Sequence, residues 1–221
     1  MIGFTYDSLT RLVTGGYYGT APFSEWTYAF FIGLILPLVI CTIIFMITTI
    51  FDEKEIRARR ILFSAPISQC RYYLMKAFTI VIAFLLITMV PIIISFLYYK
   101  VLFNFTDLNN FIELIFWFMV PTFVFFLGFC MVLGRISIKL LYGLIPIAFL
   151  LGLFDTSSIL PYWLDIYGAH YFKLCTYAEL LGRTSDVVTF NLSASFVTSR
   201  FMLLFFGIIL LAFACVKTVK E

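Results

Sequence analysis

Three stretches of this chain contain no charged residue and no histidine, and each is longer than twenty residues: 26–51, 77–99 and 114–134. A helix of roughly 20 apolar residues crosses the hydrocarbon core of a bilayer, so each stretch is long enough to do so. Over the whole chain 63% of the residues are hydrophobic and 12% are charged, whereas a typical soluble domain carries about 25% charged residues. The sequence therefore predicts an all-α, multi-pass membrane protein.

Two shorter uncharged runs follow, over 140–154 and 201–216. They span a bilayer if Lys139 and Lys217 extend to the interface or the bilayer thins locally. We therefore expect an extracytoplasmic segment over 1–25 and one transmembrane domain over 26–221. The expected spans are about 27–51, 77–99, 112–134, 138–154 and 200–218.

The lysines and arginines predict the orientation, because those in short loops tend to stay cytoplasmic. If the segment 52–76 is inside, ten of the 15 lysines and arginines are inside and five are outside. This division predicts a cell-membrane protein with its amino terminus outside and its carboxyl terminus in the cytoplasm. The five outer residues are then Arg11, Lys100, Lys173, Arg183 and Arg200.

The connection before the last span, about 156–198, is long and too apolar for an ordinary loop. Its first half contains Trp163 and four tyrosines, residue types that favour the headgroup region. We expect one or two short helices lying at the outer face or dipping into it. Non-helical backbone at such a depth is tolerated only where it is buried in protein or lines a water-filled cavity.

The segment 52–76, which we call the joint, is the one strongly charged part between two apolar segments. Asp52 is a good N-cap, and Glu55 three positions later completes a pair that resembles a capping box. The spacing also pairs Glu53 with Arg57, and Glu55 with Arg59, at i and i+4. These features predict an amphipathic helix over about 53–65. Its apolar stripe would consist of Ala58, Ile61, Leu62 and Ala65.

Pro66 ends the predicted helix, because proline disfavours helical geometry at the residue before it and removes a backbone donor. Ser68 can cap the next helix, which runs through Tyr72 and Lys76 into the second span. The joint thus combines an acidic pair, a short helix with a leucine, a proline stop and a lysine ten residues after the proline. The residues in this order are Glu53, Glu55, Leu62, Ala65, Pro66, Ile67, Ser68 and Lys76.

This order resembles the coupling-helix region of ABC-2 type transporter permeases, the membrane subunits of a class of ABC exporters. The long outer segment before the last span also fits that family. The family has six spans with both ends cytoplasmic, so this layout lacks the first. Arg57 and Met75 stand where the family often has glycine.

The resemblance implies that the short helix sits in a cleft of a separate ABC ATPase subunit. The chain itself would be no enzyme, with no catalytic residue, cofactor or metal of its own, because ATP is used by the partner. The sequence contains no G-x-x-x-x-G-K-[ST] phosphate loop. The expected docking contacts are the apolar Leu62, Phe63, Ala65 and Ile67, oriented by Glu53, Glu55, Arg57 and Arg60 and bounded by Pro66 and Ser68.

Further expected partners are a second permease copy or a homologous permease, and the lipid bilayer. No nucleic acid partner is expected, because membrane topology accounts for the positive charges. The Phe-rich, nearly uncharged spans favour export of an amphipathic or lipid-like substrate such as a peptide, drug or lipid. The alternative is a non-transporting multi-pass protein, such as an immunity or sensor subunit. The joint would then be ordinary topogenic sequence that also binds anionic lipid.

Overall fold

The computed structural model describes residues 25–62, 69–104, 109–153, 165–168 and 194–216. These ranges contain helices and no β-strand, which confirms the all-α prediction for the part of the chain they cover. The elements are α1 (Glu25–Thr48) with a 3-10 turn (Thr49–Phe51), α2 (Glu53–Leu62), α3 (Gln69–Phe103), α4 (Asn109–Ile136), α5 (Ile138–Leu153) and α6 (Ala194–Val216).

Three apolar stretches of helix are long enough to cross a membrane by length and composition. They are Gln69–Val101, Phe111–Ile136 and Ala194–Cys215. Two shorter apolar stretches are Ile35–Phe51 and Ile138–Gly152. Each of the five predicted spans overlaps one of these helices, and the helices are compatible with a membrane location.

Helix α4 lies at the centre of the bundle. It packs most closely against α6, and it also contacts α1 and α5, which pack against each other. The apolar stretch of α4 is 56% buried, against 28% for α3 and 22% for α6. Helices α3 and α6 therefore expose large apolar faces. Among their exposed side chains are Phe78, Leu86, Met89, Val101, Phe201, Met202 and Phe205.

Helices α4 and α6 run parallel and approach closely where two glycines face each other. A Cβ atom on Gly128 would lie 2.3 Å from the carbonyl oxygen of Gly207. A Cβ on Gly207 would lie 2.6 Å from the backbone of Val124. Small residues at such a crossing bring two backbones together, as is common between membrane helices.

Single polar residues mark two of the helix ends. Asn104 follows α3 with φ 53°, and its N–H donates to the carbonyl of Lys100 at 3.1 Å. Asparagine tolerates this left-handed conformation, which stops a helix. Ser137 alone separates α4 from α5, and its hydroxyl accepts a hydrogen bond from the N–H of Lys139 at 3.3 Å.

Candidate functional site: the joint and a buried arginine

Helix α2 of the joint begins as the sequence predicts. The carboxylate of Asp52 accepts a hydrogen bond from the N–H of Glu53 at 2.9 Å, and its carbonyl accepts one from Ile56 at 3.0 Å. The described helix ends at Leu62, after 10 residues, and is about 15 Å long. The predicted contacts Phe63, Ala65, Pro66, Ile67 and Ser68 lie outside the described residues, as do the side chains of Arg60 and Leu62.

One face of α2 points away from the bundle. Glu53, Lys54, Arg57 and Ala58 are exposed, and the side chain of Ile61 is 75% exposed. The predicted pair of Glu53 and Arg57 is present, with 3.5 Å between the carboxylate and the guanidinium. The described members of the predicted apolar stripe, Ala58 and Ile61, therefore do not pack into the core.

The other face of α2 is fastened to α3 through Glu55. One oxygen of its carboxylate accepts a hydrogen bond from the Tyr72 hydroxyl at 2.7 Å and lies 2.6 Å from the Lys76 ammonium. The ammonium also lies over the Tyr72 ring, 5.6 Å from its centroid. Sequence spacing pairs Glu55 with Asp52 and Arg59. The side chain of Arg59 lies outside the described residues, and the structure brings Glu55 to two residues on one face of α3. The i, i+4 spacing of Tyr72 and Lys76 is the signal for a shared face.

Next to this contact, Tyr73 and Arg135 link the neighbouring helices. Tyr73 of α3 stacks on Phe51 of the 3-10 turn that follows α1, with 6.4 Å between ring centroids. The Arg135 guanidinium of α4 lies 5.2 Å from the Tyr73 ring centroid and donates a hydrogen bond to the Ala214 carbonyl of α6. Helices α1, α3, α4 and α6 therefore meet directly beside the joint.

A second polar centre, which sequence reasoning missed, surrounds Arg200 of α6. The side chain is fully buried. Its Nη2 atom donates to the carbonyl of Asp165 at 2.5 Å, and its Nη1 atom donates to the carbonyl of Ile166 at 2.8 Å. The Thr122 hydroxyl of α4 donates to the same Ile166 carbonyl at 2.8 Å. The guanidinium also lies 4.6 Å from the centroid of the Phe196 ring.

This centre lies deep in the bundle. Thr122 is the fourteenth of the 28 residues of α4, about 20 Å along the helix from its first residue. The non-helical residues 165–168 thus reach the middle of α4. The expected short helices of the segment 156–198 fall on residues outside the described ranges; residues 165–168 are non-helical, and 194–198 belong to α6.

Arg200, which the sequence places at the outer start of the last span, lies in the second turn of α6 with its side chain buried among the helices. The physical reason is that buried backbone carbonyls need donors, and Arg200 supplies two of them. Its sequence alone gives no sign of this, because its partners come from distant segments.

No protein-family model, no curated protein and no solved structure matches this chain. The resemblance of the joint therefore rests on its own residues.

Proposed function

We propose that this chain is the permease subunit of an ABC-2 type exporter and that α2 docks on a separate ABC ATPase subunit. The permease, paired with a second copy or a homologous permease, forms the pathway for an amphipathic or lipid-like substrate. The observation that carries the proposal is the two-sided environment of α2. One face is exposed and charged, while Glu55 on the other face binds two residues of α3.

The contacts of Glu55 give the joint a means of transmitting motion. Charge-assisted hydrogen bonds are roughly twice as strong as neutral ones. Because Tyr72 and Lys76 lie in the first turns of α3, a displacement of α2 by a partner pulls on the base of that helix. Helix α3 has 35 residues and is about 52 Å long, so its whole apolar length can follow.

The exposed face of α2 has the composition of a docking surface. Ile61 offers an apolar contact, while Glu53 and Arg57 lie on the same exposed side of the helix. A central apolar anchor with charged residues at the rim favours specific association. In this proposal Leu62, Phe63, Ala65 and Ile67 complete the anchor, as the family resemblance implies.

The proposed membrane arrangement has five spans, with the amino terminus outside and the joint and carboxyl terminus in the cytoplasm. Helix α1 has 24 residues, about 36 Å, which is enough to cross a core of about 30 Å. Helix α5 has 16 residues, about 24 Å, and requires local thinning of the bilayer or extension of the exposed Lys139 to the interface.

Co-purification tests the docking proposal. The tagged full chain is purified in mild detergent from the membranes of its own cells, and ABC ATPase subunits are quantified by mass spectrometry. We expect an ATPase with the parent chain and a loss of about ten-fold or more with Ile61→Asp, as for an interface anchor.

Ile136→Asp is the matched control, because Ile136 is the last residue of α4 and is 69% exposed, against 75% for Ile61. It should retain the ATPase. Equal retention in both variants would refute docking through α2. A parent chain that brings down no ABC ATPase would favour the alternative of an immunity or sensor subunit.

A further inference from the structure

Residues 165–168 place polar backbone in the apolar interior of the bundle, between α4, α5 and α6. Besides the bonds from Arg200 and Thr122, the Tyr167 hydroxyl donates to the Ala148 carbonyl of α5 at 2.9 Å. The Tyr167 ring stacks on Phe126 of α4, with 5.9 Å between centroids. The segment therefore packs between three helices, and side chains of α4 and α6 donate hydrogen bonds to the carbonyls of Asp165 and Ile166.

The turn formed by these four residues holds its own shape. The Asp165 carboxylate accepts a hydrogen bond from the N–H of Gly168 at 2.8 Å. Such an aspartate bond to backbone further along the chain stabilises a local turn. Gly168 has φ 76°, and a Cβ there would lie 2.8 Å from the Phe118 ring. The turn is thus a preformed unit in a closely fitting site.

The site does not satisfy Arg200 completely. Its Nε atom is buried and has no hydrogen-bond partner among the described residues. A buried N–H without a partner opposes the arrangement that leaves it so, while the two carbonyl bonds favour it. The hydrogen bonds from Arg200 and Thr122 therefore stabilise the turn in its site, whereas the buried Nε–H of Arg200 destabilises this arrangement.

We propose that residues 165–168 form a detachable plug in the bundle and that Arg200 is the latch that holds it. When the plug leaves, Arg200 loses its two carbonyl partners. A cation at this depth then requires water or an acidic group, so withdrawal of the plug admits water to the middle of α4. The proposal concerns the bundle itself and holds for a transporter and for a non-transporting protein alike.

Cysteine labelling of the full chain in lipid nanodiscs tests the plug. Ile166→Cys, at a half-buried position of the segment, is exposed to a membrane-impermeant maleimide, and modification is measured residue by residue with mass spectrometry. Cys130 of α4 is fully buried and reports opening of the whole bundle. We expect residue 166 to be labelled slowly while Cys130 stays unmodified. If residue 166 and Cys130 were labelled at the same rate, or if neither were labelled, residues 165–168 would be a fixed part of the core. Either result would overturn the plug.

The latch is tested in the same Ile166→Cys background. Arg200→Leu should accelerate labelling at residue 166 by about ten-fold or more, because two buried carbonyls lose a charged donor. Arg200→Lys, which keeps the charge, should restore part of the slow labelling. Thr122→Val removes one donor to Ile166 with little change of shape and should give a smaller acceleration.

Arg135→Leu is the matched control, because Arg135 also bonds a backbone carbonyl between α4 and α6, but beside the joint. It should leave labelling at residue 166 unchanged. Equal rates in the Arg200→Leu and Arg135→Leu chains would overturn the latch. If Arg200→Leu also exposes Cys130, the labelling rates at residue 166 in Arg200→Lys and Thr122→Val decide between a latch and loss of the fold. Rates equal to that of the parent in both variants would contradict the proposal.

Discussion

The carboxylate of Glu55 lies 2.6 Å from the ammonium of Lys76, which joins helix α2 to helix α3 by a charge-assisted contact. The side chains are 27% and 34% exposed, so water screens this pair less than a surface pair. The Tyr72 hydroxyl bonds the same carboxylate oxygen. Helix α2 is thus braced against the base of α3 and can pass a displacement to it.

A double-mutant cycle on Glu55→Ala and Lys76→Ala measures this brace. We expect a coupling free energy of about 1 kcal/mol or more, because the pair is partly buried and hydrogen-bonded. The control cycle uses Glu53→Ala and Arg57→Ala, whose side chains are 84% and 78% exposed. It should give about 0.5 kcal/mol or less. Unfolding in mixed micelles gives the free energy of unfolding of each variant. Equal coupling free energies in the two cycles would contradict a special role of the Glu55–Lys76 contact.

The close crossing of α4 and α6 makes Gly207 sensitive to substitution. Gly207→Ala should destabilise the protein by about 1–3 kcal/mol, because its Cβ would lie 2.6 Å from the backbone of Val124. Gly143→Ala is the matched control, since a Cβ there meets no atom within 4 Å. It should be neutral or stabilise α5 by up to about 1 kcal/mol. Thermal unfolding measures the stability of both variants. Equal changes in stability would contradict the close approach of α4 and α6 at Gly207.

Two thiols that are far apart in the sequence lie beside the joint. Cys70 at the start of α3 and Cys215 at the end of α6 are close neighbours. The diazene oxidant diamide should therefore convert these two thiols to one intramolecular disulfide while it is reduced to the hydrazine. Peptide mass spectrometry detects the linked pair, which Cys215→Ser should abolish. Indiscriminate pairing, or none, would contradict the packing of α3 against α6.

The proposed orientation predicts opposite labelling of the two ends of the bundle. Asn109, the first residue of α4, and Lys139, in the first turn of α5, are both exposed. In intact cells an impermeant maleimide should modify Asn109→Cys and leave Lys139→Cys unmodified until the cells are permeabilised. The reverse pattern would invert the proposed topology, with the joint outside.

The sequence predicts the helices well because their signal is local. Uncharged runs define the apolar segments, and Asp52 marks the start of α2 where the structure places it. The buried centre lacks such a signal. Arg200, Thr122 and Ile166 come from separate segments. In the sequence an arginine indicates only the membrane topology, and its partners cannot be predicted. For the same reason local spacing does not predict the contacts of Glu55 with Tyr72 and Lys76, which form only once the chain has folded.

Site-specific photo-crosslinking shows whether α2 docks on an ABC ATPase subunit. A benzophenone amino acid replaces Ile61 in one chain and Ile136 in another, because both side chains are exposed at the joint end of the bundle. After irradiation of native membranes, adducts are purified and identified by mass spectrometry. We expect an adduct with an ABC ATPase subunit from position 61 and none from position 136. No ATPase adduct at position 61, or equal adducts at both positions, would contradict this docking.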